Sequence, residues 1–284
     1  MTPNIKNISV VTGTRADYDL LFPLIRRISN DKDLNLNLIV TGNHMSTDFG
    51  LTYQQIEADG FIINYKIQIL PASDSAQGIS ESMGIGLIDF AKVFNNIDVD
   101  LLILLGDRFE IFVASTAATL AKIPIAHLSG GETTEGAFDE AFRHSITKMS
   151  HLHFTTTELY RNRVIQLGEN PKRVFNVGAF SMDNINETEL LSRSALEEML
   201  GFNFGRRNLM ITFHPATLED LPVEEQFNNL LKALSKIEDV KLIFTRSNSD
   251  VGGRIINNMI EQFVKVNSSN SVVFSSLGRL KYLS

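Results

Sequence analysis

Short runs of apolar, β-prone residues alternate with longer segments of helical periodicity along the first two thirds of the chain. The apolar runs predict strands at Ile5–Thr12, Leu36–Val40, Ile62–Ile67, Leu101–Leu105, Ile125–Leu128, Leu152–Thr155 and Val174–Val177. Between them the periodicity predicts helices near Leu20–Ser29, Thr52–Ala58, Ser75–Asn95, Phe109–Ala121, Ala137–Met149 and Glu158–Leu167. Runs without polar alternation mean burial on both faces, as in a parallel sheet covered by helices. Strand and helix in strict alternation predict a doubly wound α/β domain. Pro23 is placed near the start of its helix, where a missing N–H costs little.

The pattern changes at "VGAFSMDNINETELLSRS", where Gly178, Asn184 and Asn186 punctuate a polar stretch. The expected organisation is a first domain over 1–177, a linker over 178–192 and a second α/β series over 193–284. That series reads as strand Leu209–Phe213, helix Val223–Leu234, strand Lys241–Phe244, helix Arg254–Val266, strand Val272–Phe274 and a last helix at Leu277–Ser284. Three parallel strands would leave an edge uncovered, so the second domain is expected to be incomplete and the C-terminus premature.

Composition narrows the function classes. The 284 residues are 43% hydrophobic, enough for a sizeable core, and the formal net charge of −7 argues against a nucleic-acid surface. Without cysteine, disulfides, thiolate metal sites and cysteine nucleophiles are excluded. Met1–Ile8 is polar, unlike a signal peptide, and the longest apolar runs fall short of the roughly 20 residues of a membrane span. A cytoplasmic protein with no membrane partner is expected.

In open α/β sheets, ligands bind beyond the carboxyl ends of the strands, which gives weight to polar residues there. At the first such end, Gly13-Thr14-Arg15 leads into a helix whose free N–H groups attract anions. Arg15 adds a positive charge, and Asp17 or Asp19 can cap the helix. The stretch is not a G-x-G-x-x-G fingerprint, so NAD is not expected. At the second, a buried strand delivers Gly106, Asp107, Arg108 and Glu110. These residues form either a salt-bridged helix start or an acid/base group at Asp107. At the third, Gly130-Gly131-Glu132 precedes a helix on which Asp139/Arg143 and Glu140/His144 are each four apart and share a face. His127, within its strand, reads as a hydrogen-bonded core histidine. In the second series, His214-Pro215 ends a strand, and Arg246, Asn248, Asp250 and Arg254 follow another. Gly252-Gly253 there open a helix, a plausible phosphate end. No His/Asp/Glu group has the tight spacing of a metal site, and neither a Walker A loop nor a G-x-S-x-G elbow is present.

Taken together, Gly13-Thr14-Arg15-Ala16-Asp17-Tyr18, Gly106-Asp107-Arg108-Phe109-Glu110, Gly130-Gly131-Glu132, Arg143 to Phe154 ("RHSITKMSHLHF") and Phe213-His214-Pro215 resemble the hydrolysing UDP-N-acetylglucosamine 2-epimerases. The first motif reads G-T-R-A-D-Y rather than the G-T-R-P-E of the non-hydrolysing branch. The resemblance implies two Rossmann-like domains with parallel sheets, of the GT-B type, with the nucleotide sugar in the cleft, and a homo-oligomer. It implies contacts to the nucleotide diphosphate from Arg15, Arg108, His214 and the loop carrying Arg246, Asn248 and Arg254. Asp107, Glu132 and Glu140 would be the acids and bases, with Asp139, Arg143 and His144 shaping the site. Members continue past "LGRLKYLS" into a Ser-rich diphosphate loop, so the chain is expected to be C-terminally truncated. No cofactor is implied; a substrate-borne Mg²⁺ is compatible but not indicated.

The implied reaction converts UDP-GlcNAc to N-acetylmannosamine and UDP, on the route to sialic acid, by elimination to a glycal and rehydration. The alternatives are the same reaction on UDP-2,4-diacetamido-2,4,6-trideoxyglucose, a GT-B glycosyltransferase, or an inactive truncated paralogue.

Overall fold

The strands of the first unit lie where continuous apolar runs meet glycine-bounded turns. The computed structural model describes residues 5–69, 75–216, 218, 221–247 and 252–284. Contacts divide the chain into a first unit that ends at Glu187 and a second that runs from Thr188 to Ser284.

The first unit holds strands β1 (Lys6–Thr12), β2 (Leu34–Val40), β3 (Tyr65–Lys66), β4 (Leu101–Leu105), β5 (Ile125–Leu128), β6 (Leu152–Thr155) and β7 (Val174–Asn176). Its helices are α1 (Arg15–Asn30), α2 (Tyr53–Ala58), α3 (Ala76–Asn96), α4 (Phe109–Leu120), α5 (Asp139–Met149), α6 (Glu158–Gln166) and α7 (Ser181–Glu187). Among the described residues the strands form one parallel sheet in the order β3-β2-β1-β4-β5-β6-β7. The order reverses between β1 and β4, so the turns after these two strands flank the switch point, the usual ligand position in such sheets. Val10, Leu38, Val40, Tyr18, Leu21 and Ile25 are buried in the core between the sheet and α1.

The second unit carries α8 (Arg193–Leu200), β8 (Asn208–Ile211), α9 (Val223–Leu234), β9 (Lys241–Thr245), α10 (Gly253–Val266), β10 (Ser271–Phe274) and α11 (Gly278–Leu283). Its described strands form a parallel sheet in the order β10-β9-β8. Phe227, Leu231, Phe244, Ile256 and Ile260 form its core. No described helix is long and apolar enough to cross a membrane.

Several local expectations change. The expected strand Ile62–Ile67 pairs only at Tyr65–Lys66. Asn64 takes both polar groups of Leu38, its side chain accepting from the N–H at 2.8 Å and its own N–H donating to the carbonyl at 2.9 Å. Ile62, beyond it, is exposed. Helix α1 begins at Arg15 rather than near Leu20, because Thr14 caps it and Asp17 closes the turn. That earlier start places Pro23 inside the helix, where it leaves the Asp19 carbonyl without its intrahelical donor. The amide of Asn184 donates to that carbonyl at 2.5 Å. Asn184 belongs to α7, so the stretch read as a linker over 178–192 holds a helix that packs on α1. Glu187 at its end pairs with Arg26 and, at 2.7 Å, with Arg27. Helix α8, capped by Ser192 and closed by Gly201 at φ +60°, is a further element that the periodicity did not single out.

Candidate active site

The turn after β1 is built around a carboxylate. Asp17 accepts from the Gly13 N–H at 2.8 Å and from the Thr14 hydroxyl, while Thr14 Oγ1 accepts from the Asp17 N–H at 3.4 Å. Of the two aspartates expected to order this turn, Asp17 does so. Below it, His44 is buried, with Nε2 at 3.0 Å from Thr12 Oγ1 and Nδ1 at 2.8 Å from Thr52 Oγ1. Burial pushes its pKa down to about 4 against the pull of Asp17, so the ring is neutral. Arg15 is half-buried, and its Nη1 is enclosed with no hydrogen-bond partner among the described residues.

Glu110, in the first turn of α4, is fully buried beneath the same turn. Arg108 Nε lies 3.3 Å from it. Burial raises its pKa more than the Arg108 charge lowers it. Gly42, at φ +58°, is required here: a Cβ would come within 2.6 Å of Glu110 Oε1.

A second cluster surrounds Arg143, on α5. Its guanidinium is nearly buried and donates to Asp107 Oδ2, to the Ser129 carbonyl at 2.8 Å and to Thr134 Oγ1 at 3.0 Å. Glu132 Oε2 lies 3.7 Å from Nη1. Asp107 also accepts from the Thr134 hydroxyl at 3.2 Å, and Glu132 from the Thr156 hydroxyl at 2.8 Å. Gly131, at φ +77°, lets the chain pass α6, since a Cβ would sit 2.5 Å from the Tyr160 carbonyl.

Glu140 accepts from the Thr134 N–H at 2.7 Å and from His144 Nε2 at 2.9 Å. Desolvation is the largest single influence on Glu140 and raises its pKa. The Thr134 N–H, His144 and Arg143 together outweigh it and hold the carboxyl below its usual range. His144 Nδ1 is enclosed without a hydrogen-bond partner among the described residues. His127 is the core histidine expected, with Nε2 donating to the Gly106 carbonyl at 2.8 Å and Nδ1 at 3.1 Å from Thr147 Oγ1. Burial lowers its pKa to about 3 despite the Gly106 carbonyl, with Arg143 adding to the fall.

The structure therefore gathers Asp107, Glu132, Glu140, Arg143 and His144 at the ends of β4 and β5 and the start of α5. Of the two same-face pairs expected on α5, Glu140–His144 forms. Arg143 instead donates to Asp107 across the strand tips, and its further donors reach the Ser129 carbonyl and Thr134. Asp139 stands in the first turn of α5. The hydroxyls of Thr134 and Thr156 were not singled out from sequence; their only signal is a Thr in the loop after Gly-Gly and a Thr beyond a strand end.

In the second unit, His214 Nδ1 lies 3.4 Å from Ser247 Oγ, just beyond β9. Arg246, expected to meet a diphosphate, is paired with Glu261 of α10, which offers it a carboxylate one strand–helix step away. Arg254 is exposed in the first turn of α10. Asn248 and Asp250 lie outside the described residues. Among the described residues no group of three or more His, Asp or Glu side chains is placed to hold a metal ion.

The model of the UDP-N-acetylglucosamine 2-epimerase family matches residues 26–284. The chain belongs to this family. Among 2-epimerase relatives it is 41% identical to the GDP/UDP-N,N'-diacetylbacillosamine 2-epimerase (hydrolyzing) of Campylobacter jejuni, over 98% of this chain and 72% of that protein. It is 34% identical to the UDP-N,N'-diacetylbacillosamine 2-epimerase (hydrolyzing) of Legionella pneumophila, over 92% of this chain and 68% of that protein. A crystal structure of the Neisseria meningitidis UDP-GlcNAc 2-epimerase bound to UDP-GlcNAc superposes with a TM-score of 0.75 at 18% identity, covering 98% of this chain and 74% of that one. That likeness places the 2-epimerase fold, two Rossmann-like parallel sheets of the GT-B type, on firm ground.

Proposed function

We propose that this 2-epimerase acts hydrolytically on a UDP-2-acetamido sugar. UDP leaves C1 as the C2 proton is taken, giving a 2-acetamidoglucal. Water then adds across that double bond, its hydroxyl to C1 and its proton to the opposite face of C2, releasing the free 2-epimeric sugar. The C2 proton is not acidic enough for simple abstraction. The reaction therefore needs carboxylates for the proton and cations for the departing diphosphate. The gathering of Asp107, Glu132 and Glu140 around Arg143 at the ends of β4 and β5, with Asp107 beside the switch point, is the observation that carries this reading. Asp107 and Glu132 handle protons, Glu140 with His144 fixes the local charge, and Asp139 shapes the pocket. Arg15, whose enclosed Nη1 has no hydrogen-bond partner among the described residues, and Arg108 are the first-unit cations for the diphosphate. In the second unit, the resemblance assigns nucleotide contacts to His214, Arg246, Asn248 and Arg254. No nicotinamide cofactor takes part.

The names of the Campylobacter and Legionella relatives support a nucleotide-linked N,N'-diacetylbacillosamine, a 2,4-diacetamido-2,4,6-trideoxyhexose, as substrate, with UDP in the Legionella name and GDP or UDP in the Campylobacter name. The description of the family model supports UDP-GlcNAc, with N-acetylmannosamine as product. Incubation with each sugar in deuterated water, followed by NMR, tests the reaction and separates the substrates. Expected are UDP release without added cofactor and deuterium at C2 of the free sugar. A retained C2 proton overturns the elimination route. Dependence on a nicotinamide or on an acceptor sugar overturns the hydrolytic reading.

A further inference from the structure

Thr134 carries no motif, yet its two polar groups go to two different carboxylates. Its hydroxyl oxygen accepts from Arg143 Nη2 at 3.0 Å, which leaves its single proton for Asp107 Oδ2 at 3.2 Å. Its backbone N–H donates to Glu140 Oε2 at 2.7 Å. Glu140 Oε1 is taken by His144 Nε2 at 2.9 Å. Thr134 is thus the one described residue hydrogen-bonded to both Asp107 and Glu140.

The loop that carries it is tied down on either side. Arg163 Nη1 donates to the Gly131 carbonyl at 2.6 Å and to the Thr133 hydroxyl. The Ala137 N–H donates to the Thr134 carbonyl at 3.2 Å. A hydroxyl held in this way has a fixed direction.

We infer that Thr134 is a positioning residue that locks Asp107 in register with the Glu140–His144 pair. The lock acts through the choice of oxygen. Arg143 and Thr134 both bond Oδ2 of Asp107, so Oδ1 is the oxygen without a hydrogen bond among the described residues. A carboxylate held by one donor swings about its last torsion, whereas two donors at fixed angles hold its plane. Glu140, with both oxygens engaged, cannot turn away from His144. Proton transfer at a sugar carbon is sensitive to such angles, because displacement of a reacting group by about 1 Å can cost on the order of 100-fold. Loss of the hydroxyl therefore acts on the chemical step more than on binding. This inference rests on the proposed role of Asp107 as a proton-handling group.

The test pairs Thr134→Val, which keeps shape and removes the hydroxyl, with Thr134→Ser, which keeps the hydroxyl. A hydrogen bond to a charged group is strong enough that its loss from the chemical step costs about tenfold. For Thr134→Val, kcat is expected to fall about tenfold or more with KM within about twofold, and Thr134→Ser is expected to restore most of it. A Val variant with wild-type kcat overturns the inference. So does a Ser variant as slow as Val, which would assign the effect to packing. In the ligand-free protein, the residue 134 amide signal in ¹⁵N NMR is expected to titrate with the Glu140 carboxyl in wild type and in Thr134→Val. Glu140→Gln should abolish that titration. An amide that ignores Glu140 overturns the coupling. A wild-type chain inert toward every UDP-sugar would defeat the reaction alone, and the amide titration would still stand for or against the coupling.

Discussion

Asp107 and Glu132 each reach Arg143, but through different geometry. Asp107 is bonded directly to a nearly buried guanidinium, and Glu132 stands 3.7 Å from it while held by Thr156. Asp107→Asn and Glu132→Gln keep shape and remove charge. Each is expected to lower turnover by about 10²–10⁴-fold, the usual contribution of a positioned acid or base, with an unchanged far-UV spectrum. Loss of folding in both variants would return these residues to a structural role. His127 makes a separate prediction about pH. Its ordinary value is 6.5 and its folded value about 3, so between these the unfolded chain binds a proton that the folded chain refuses. Stability therefore falls as pH drops through that window, by at most about 1.4 kcal/mol per pH unit per group. His44, at about 4, acts in the same direction. Glu110, with its raised value, acts oppositely: its contribution is present below 4.5 and is lost as pH rises through the folded value. Urea unfolding at pH 7 and pH 5 is expected to show a smaller acid loss for His127→Gln than for wild type. Equal losses would place the acid sensitivity elsewhere. At this scale the sequence was most legible where a polar residue follows an apolar run, as at Asp107 and His127. It was least legible for the partner of Arg143, because helical spacing says who shares a face and not which strand tip lies opposite.

The elements themselves followed from hydrophobic pattern wherever a strand is buried on both faces. β4, β5 and β6 match their expected limits to the residue, as does α9. The pattern failed where a polar side chain replaces a backbone bond. Asn64 does so at the edge strand, Thr14 with Asp17 at the start of α1, and Asn184 at Pro23. The last case yields a test. Pro23 removes the donor that the Asp19 carbonyl would have within α1, and Asn184 supplies one from α7. Asn184→Ala is expected to cost about 1–3 kcal/mol, the penalty for a polar group left without its partner. In a Pro23→Ala background the helix regains its own N–H, so the same substitution should cost distinctly less. A double-mutant cycle by chemical denaturation reads the difference. Additive effects would mean that α7 is held by its other contacts, such as Glu187 with Arg27, and that the amide is incidental.

For the whole molecule, charge sets a condition that neither fold nor motif reveals. The chain carries a formal −7 and is proposed to bind an anionic nucleotide sugar. Around the switch point the carboxyls of Asp17, Asp107, Glu110, Glu132, Asp139 and Glu140 outnumber the guanidiniums of Arg15, Arg108 and Arg143. One feature reduces that imbalance: burial favours the protonated form of Glu110. Even so, the long-range field opposes an approaching diphosphate, while the attraction of Arg15 and Arg108 operates only at contact. Salt acts unequally on these two influences. Screening over about 10 Å at 0.1 M weakens the distant repulsion, whereas a contact with a half-buried guanidinium is screened much less. The association rate of UDP is therefore expected to rise between about 10 mM and 150 mM salt, the reverse of a cation-steered site. Stopped-flow binding over that range measures it. A rate that falls with salt would mean that the cations dominate the approach, and that the acidic surface plays no part in how this protein meets its ligand.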